Sequence, residues 1–269
     1  MTPNLQFQRG AIDAGACVST GWEMVKSNYG LFLGVSIVAV ILSGCIPCVS
    51  LFIMGPILAG VYYVVLRQMN GEPVEFGMMF KGFDKFVPLM VIGIVQSIPE
   101  IIGQGLRIGA QVGQIGLNGN RSGRDFQFFQ QSSGRPELLG GIAAGVLIII
   151  AIVAVIFILF AVVWRFLLFF AIPLAMEHDL GAVDAMKLSA QAAMANVGGL
   201  IVLFIFEFLI SLLGVIMCVI GLFLVAIPIL YAANAIAYRM VFPRLEQRFN
   251  YNPPPPGSYG DFGAGMPAV

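Results

Sequence analysis

Charged side chains are scarce in this sequence. Of 269 residues, 14 are Lys or Arg and 14 are Asp or Glu, 10% in all, against about 25% in an ordinary soluble domain. With no basic excess there is nothing to neutralise a phosphate backbone, so nucleic acid is not an expected partner. Histidine is scarcer still: His178 is the only one, which excludes a multi-histidine metal or haem site. No GxGxxG, P-loop, zinc motif or nucleophile–base pair occurs. The run Glu177-His178-Asp179 alone joins histidine to carboxylates, and three consecutive side chains spread too widely round a helix to hold one metal. It reads as a polar turn. No cofactor and no enzymatic activity are expected.

What fills the sequence is apolar. Hydrophobic residues make up 59%, and the mean hydropathy is +0.92. A charge at the bilayer centre costs roughly 2.5–3.5 kcal/mol on insertion scales, so uncharged stretches mark embedded segments. Lys26 to Arg67 carries no charge between its ends, Lys85 to Arg107 only Glu100, Glu137 to Arg165 none, and Lys187 to Arg239 only Glu207. A span needs about 20 residues. The expectation is therefore an all-α polytopic bundle of six spans, near 29–46, 50–66, 86–106, 138–165, 197–217 and 220–238, with Pro173 ending the fourth helix at the interface. For the first pair a re-entrant hairpin is the rival reading, because Gly44 and Pro47 break its turn.

Positive charge sets the orientation. With both termini cytoplasmic, the inner side holds Arg9, Lys26, Arg67, Lys81, Lys85, Arg165, Lys187, Arg239, Arg244 and Arg248, and the outer side only Arg107, Arg121, Arg124 and Arg135. Residues 1–26 contain no apolar core that would suit a cleavable signal. Three segments result: a cytoplasmic stretch over 1–28, a membrane domain over 29–245 with an outer loop near 107–137, and a Pro/Gly-rich tail over 246–269 that is expected to be disordered.

The last helical pair reads as a copy of the first. Asn28-Tyr-Gly-Leu-Phe-Leu matches Asn196-Val-Gly-Gly-Leu-Ile, and Pro56-Ile-Leu-Ala with Arg67 matches Pro228-Ile-Leu-Tyr with Arg239. Each copy follows an amphipathic stretch with a lysine, Trp22-Glu-Met-Val-Lys26 and Ala185-Met-Lys187-Leu, and a weaker one, Met78-Met-Phe-Lys81, precedes the third span. Such stretches suit short helices in the cytoplasmic interface, with ordinary connectors as the alternative. Gly21-Trp-Glu-Met-Val-Lys-Ser-Asn-Tyr-Gly, Gly55-Pro-Ile-Leu-Ala-Gly, Gly71-Glu-Pro-Val-Glu-Phe-Gly and Asp179-Leu-Gly-Ala-Val-Asp-Ala-Met-Lys-Leu-Ser189 give the chain a family likeness over roughly 15–245. It resembles a broad group of bacterial multi-pass membrane proteins of unknown function, related to the membrane domain attached to some glycerophosphodiester phosphodiesterases. The resemblance implies a bacterial cytoplasmic (inner) membrane location; it carries no catalytic residues, and no phosphodiesterase domain is present.

Glu207 is the candidate of most interest, as the one ionisable group in the last pair of spans. It would serve a proton or cation relay with Asn234 and with Gln96 or Arg107, or simply bond neighbouring helices. Cys45 and Cys48 have dithiol spacing, and Cys218 lies in the matching turn of the repeat, so redox chemistry or a stapling disulfide is the reading there. Cys17 reads as a small apolar filler. Gly105, Gly109 and Gly113 recur every four residues, which suits either close helix approach to a second copy or a flexible loop. The leading expectation is a non-enzymatic protein acting through membrane lipids or partner proteins, with a homo-oligomer among the possibilities. A small-solute or ion transporter using Glu207 is the alternative, and a membrane thiol-disulfide protein the third.

Overall fold

A computed structural model describes residues 7–44, 47–119, 136–217 and 220–243, with side chains outside 43–50, 110 and 113–147. Every regular element among these residues is helical. In chain order they are α1 (Ala14–Ser27), α2 (Tyr29–Gly44), α3 (Pro47–Met69), a 3-10 segment (Phe76–Lys85), α4 (Phe86–Gln96), α5 (Ile98–Gly119), α6 (Pro136–Leu167), α7 (Ala171–His178), α8 (Ala182–Ala195), α9 (Val197–Ile216), a π turn (Leu222–Ala226) and α10 (Ile227–Val241). Four segments are long and apolar enough to cross a membrane, and up to six if two bent pairs each count as one.

Exposed large apolar side chains gather on α2, α5, α6 and α9; on α6 they run from Ile148 to Val163 around nearly the whole helix. Exposed charges gather instead on α1, the 3-10 segment and α8. Surface chemistry thus divides the molecule into an apolar belt and a polar layer. The C-terminal halves of α3 and α10 are enclosed, α10 being buried continuously from Ala232 to Arg239, and the polar-layer helices wrap them.

Local chemistry explains the breaks. Asp13 caps α1, its Oδ1 accepting from the Ala16 amide at 3.0 Å. A single asparagine then interrupts the helix: Asn28 (φ −137°, ψ 48°) before α2, and Asn196 (φ −125°, ψ 26°) between α8 and α9. Both lead-in helices have 14 residues. The turn before α10 widens into a π turn just ahead of Pro228, whose ring nitrogen has no hydrogen to give an α-helical ladder.

Glycine sets how close the helices approach at one crossing. A Cβ on Gly55 would fall on the Leu89 carbonyl oxygen, and one on Gly60 on that of Met79. Gly82 and Gly93 face the same crossing from the other side, so α3 meets α4 and the 3-10 segment backbone to backbone.

Four expectations change. The fourth helix breaks at 168–170, ahead of Pro173, which sits inside α7, a helix buried from Ala171 to Met176. Ser189 stabilises this break, its hydroxyl donating to the Leu167 carbonyl at 2.8 Å and accepting from the Phe170 amide at 3.0 Å. The loop alternative for the glycine stripe gives way to helix as far as Gly119. The third lead-in is a 3-10 segment, and its Met79 carbonyl lies against Gly60. The first lead-in does not lie free: it runs along α10, Gly21 against Ala232 and Ala233, with the Tyr29 hydroxyl donating to the Leu224 carbonyl at 3.1 Å.

Candidate functional site

Between α3, the α4–α5 break, α6 and α10 lies a cavity of about 430 Å³. Its wall is largely apolar, from Met54, Leu58, Phe157, Ile158, Ala161 and Ile172, and its polar groups are Tyr62, Gln96, Ser97, Glu100, Arg165, Tyr231 and Asn234. Tyr62, Ser97 and Asn234 are buried and form the floor. The lining residues that stay exposed are Glu100, Ile158, Val162 and Arg165. Its mouth therefore opens on the flank of the bundle, beside α6, at the edge of the apolar belt.

The helix spacing builds this wall. Leu58 and Tyr62 are one turn apart on α3, and Tyr231 and Asn234 three residues apart on α10, so each pair shares a face. Gln96 ends α4, and its Nε2 donates to the Leu168 carbonyl at 2.8 Å. Ser97 donates to the Gly93 carbonyl at 2.7 Å, and the Trp164 indole N–H donates to the Val95 carbonyl at 2.8 Å. These bonds hold the two helix breaks side by side.

Other lining groups have no such partners. Arg165, Glu100 and the hydroxyls of Tyr62 and Tyr231 make no hydrogen bond or contact ion pair among the described residues. The Oδ1 of Asn234 is buried without a hydrogen-bond partner, as is Oε1 of Glu207. Glu207 lies behind the cavity wall, with the Asn234 carboxamide as its side-chain neighbour and the Arg165 charge acting on it. Two of the three residues singled out, Gln96 and Asn234, thus line one cavity, and Glu207 adjoins it through Asn234. Arg107 is exposed on α5 and takes no part; Arg165 replaces it as the nearby cation. Sequence reading missed Tyr62, Tyr231 and Glu100 as lining, although the shared faces of Leu58 with Tyr62 and Tyr231 with Asn234 were there to be read.

A second polar cluster closes the end of α10. Glu177 accepts from the Tyr238 hydroxyl at 2.6 Å and from Arg239 Nη1 at 2.8 Å. Lys85 pairs with Asp179 and donates to the Met176 carbonyl at 2.6 Å. The expected polar turn at 177–179 is therefore a latch joining the 3-10 segment, α7 and α10. No group of His, Cys, Asp and Glu suited to a metal occurs among the described residues.

Cys17 is buried, its Sγ 3.7 Å from Met240 Sδ. Cys45 and Cys218 lie outside the described residues, as does the side chain of Cys48, and so does the tail over 246–269. A Cβ on Gly105 or Gly109 would meet nothing within 4 Å.

No family model, no curated protein and no solved structure matches the chain.

Proposed function

We propose that the chain is an integral membrane protein that binds an amphiphile, in the simplest case a membrane lipid, in the flank cavity, and catalyses no reaction. The single observation that carries this reading is the cavity itself: an apolar chamber of about 430 Å³ with a few polar groups, open sideways at the edge of the apolar belt. That volume lies within the ~300–1,000 Å³ of small-molecule pockets, which are likewise mostly apolar with few polar anchors. It accommodates a headgroup and part of one acyl chain. The rest of the tail leaves through the mouth along α6.

With it we propose six crossings, both termini on the cytoplasmic side of a bacterial inner membrane, and a duplicated unit of lead-in helix and hairpin. The paired 14-residue lead-ins, each ended by an asparagine, support the duplication. Purified full chain, stripped with mild detergent and weighed intact by native mass spectrometry, should retain one phospholipid. Ala161→Trp, which fills the chamber, should abolish retention. Equal retention by the two proteins would overturn the reading.

A second reading, passage of a proton or small cation, is favoured by one observation: the unpartnered oxygens of Glu207 and Asn234 lie together in the interior. If it holds, Glu207→Gln abolishes ion flux in reconstituted vesicles; unchanged flux rejects it.

A further inference from the structure

The mouth of the cavity carries two opposite charges that do not pair with each other. Arg165 stands on α6 just past the last exposed apolar residue, Val163, and Glu100 stands on α5 just before the first, Ile101. Neither makes a contact ion pair or a hydrogen bond among the described residues. Helix α6 passes the end of α4, where the Trp164 indole meets the Val95 carbonyl at 2.8 Å, and the start of α5, where Gly103 meets Phe157. Glu100 and Arg165 thus line the same cavity from neighbouring helices without pairing. Charges at the edge of an apolar belt, where the dielectric is low, are costly to leave alone.

We propose that this pair receives a zwitterionic headgroup, a phosphate joined by a short link to a primary ammonium. The inference rests on the amphiphile-binding reading above and names the ligand's chemistry. Arg165 offers five N–H donors and no acceptor, in a fork that matches phosphate oxygens. The free hydroxyls of Tyr62 and Tyr231 supply further donors from the chamber wall. The acceptors are Glu100 at the mouth and the unpartnered Oδ1 of Asn234 on the floor. A primary ammonium has three N–H groups for such acceptors. A quaternary ammonium has none, and an uncharged polyol headgroup leaves Glu100 unneutralised. Glu207, which also feels Arg165, lies behind Asn234 and leaves the mouth to Glu100.

The test is a competition. Full chain in detergent is offered equal amounts of phosphatidylethanolamine, phosphatidylcholine and phosphatidylglycerol with identical acyl chains, plus O-phosphoethanolamine as the tailless headgroup, and the bound species are weighed intact. Phosphatidylethanolamine should be retained at least about tenfold over the other two lipids, and the tailless headgroup should not compete. Glu100→Gln should bring phosphatidylethanolamine and phosphatidylglycerol to parity, while Arg165→Gln should weaken every phospholipid. Both residues are exposed and make no contact ion pair or hydrogen bond among the described residues, and an unchanged melting temperature verifies that each variant is intact. Equal retention of the three lipids by the wild type, or an unchanged preference in Glu100→Gln, overturns the headgroup assignment and leaves the cavity reading standing. Retention of no lipid beyond that of Ala161→Trp overturns both.

Discussion

The side chain of Gln96 bonds the backbone of Leu168: its Nε2 donates to that carbonyl at 2.8 Å. Gln96 is the last residue of α4, and Leu168 opens the break between α6 and α7. One side chain thus ties together two interrupted helices and stands in the wall of the chamber that their interruptions leave.

Replacing Gln96 by Leu keeps the volume but leaves the Leu168 carbonyl unpaired. An unsatisfied buried acceptor costs about 1–3 kcal/mol, so Gln96→Leu should lower the melting temperature in detergent and loosen the chamber. Scanning fluorimetry of purified protein reads the first effect. A melting temperature equal to wild type would mean that the bond contributes nothing.

At the crossing of α3 with the 3-10 segment there is no room for a methyl group. Gly60→Ala would drive Cβ into the Met79 carbonyl, and strain of this kind costs about 1–3 kcal/mol. Gly105→Ala is the control, since nothing lies within 4 Å of its Cβ and alanine gains up to about 1 kcal/mol of helix propensity. Denaturant or thermal melts should move in opposite directions for the two substitutions.

The latch should be sensitive to the loss of one partner. Glu177→Ala leaves Arg239, whose side chain is 9% exposed, without its carboxylate, and breaking a buried pair in this way costs about 3–5 kcal/mol. Tyr238→Phe removes one hydrogen bond to Glu177 and should cost about 1 kcal/mol. Unfolding titrations in mixed micelles rank the two; a larger effect for Tyr238→Phe would contradict the arrangement.

Cys17 is sealed by its neighbours, at 0% exposure. In a protein with Cys45, Cys48 and Cys218 changed to Ser, maleimide should label folded Cys17 at least about tenfold more slowly than SDS-denatured Cys17, because thiol reactivity follows access and thiolate character. Equal rates would place the thiol at the surface.

Much of the scaffold was legible because a helix long and apolar enough to cross a membrane leaves little place for charge. The uncharged stretches located the helices, and the lysine-bearing lead-ins were recognisable as separate amphipathic elements. Asn28 and Asn196, aligned positions in the sequence, stand at the breaks between a lead-in helix and the long helix after it. Less legible was everything that depends on which helices touch. Sequence periodicity does not say that Pro173 falls within a buried helix, since a proline in a first turn is compatible with helix. Nor does it tell which cation acts on Glu207: Arg107 and Arg165 were equally charged and equally close to a span, and only the fold, which puts Arg165 on the cavity beside Asn234, separates them. The tyrosines of the chamber were hidden by their own chemistry, because tyrosine at a helix face is as much at home in a core as in a site.

The contact between α1 and α10 has a consequence for synthesis. Gly21 rests on Ala232 and Ala233, Cys17 meets Met240, and the Asn196 side chain binds the Gln8 carbonyl and the Ala11 amide, both at 3.0 Å. Helix α1 therefore has its main partner in α10, made much later in synthesis. Until α10 is made, α1 lacks its most extensive cover and has only its smaller contacts with α2 and α9, and a pairing of such long sequence separation slows closure. A ribosome stalled before residue 227 would hold a protein with its early helices made and its first one still seeking a partner.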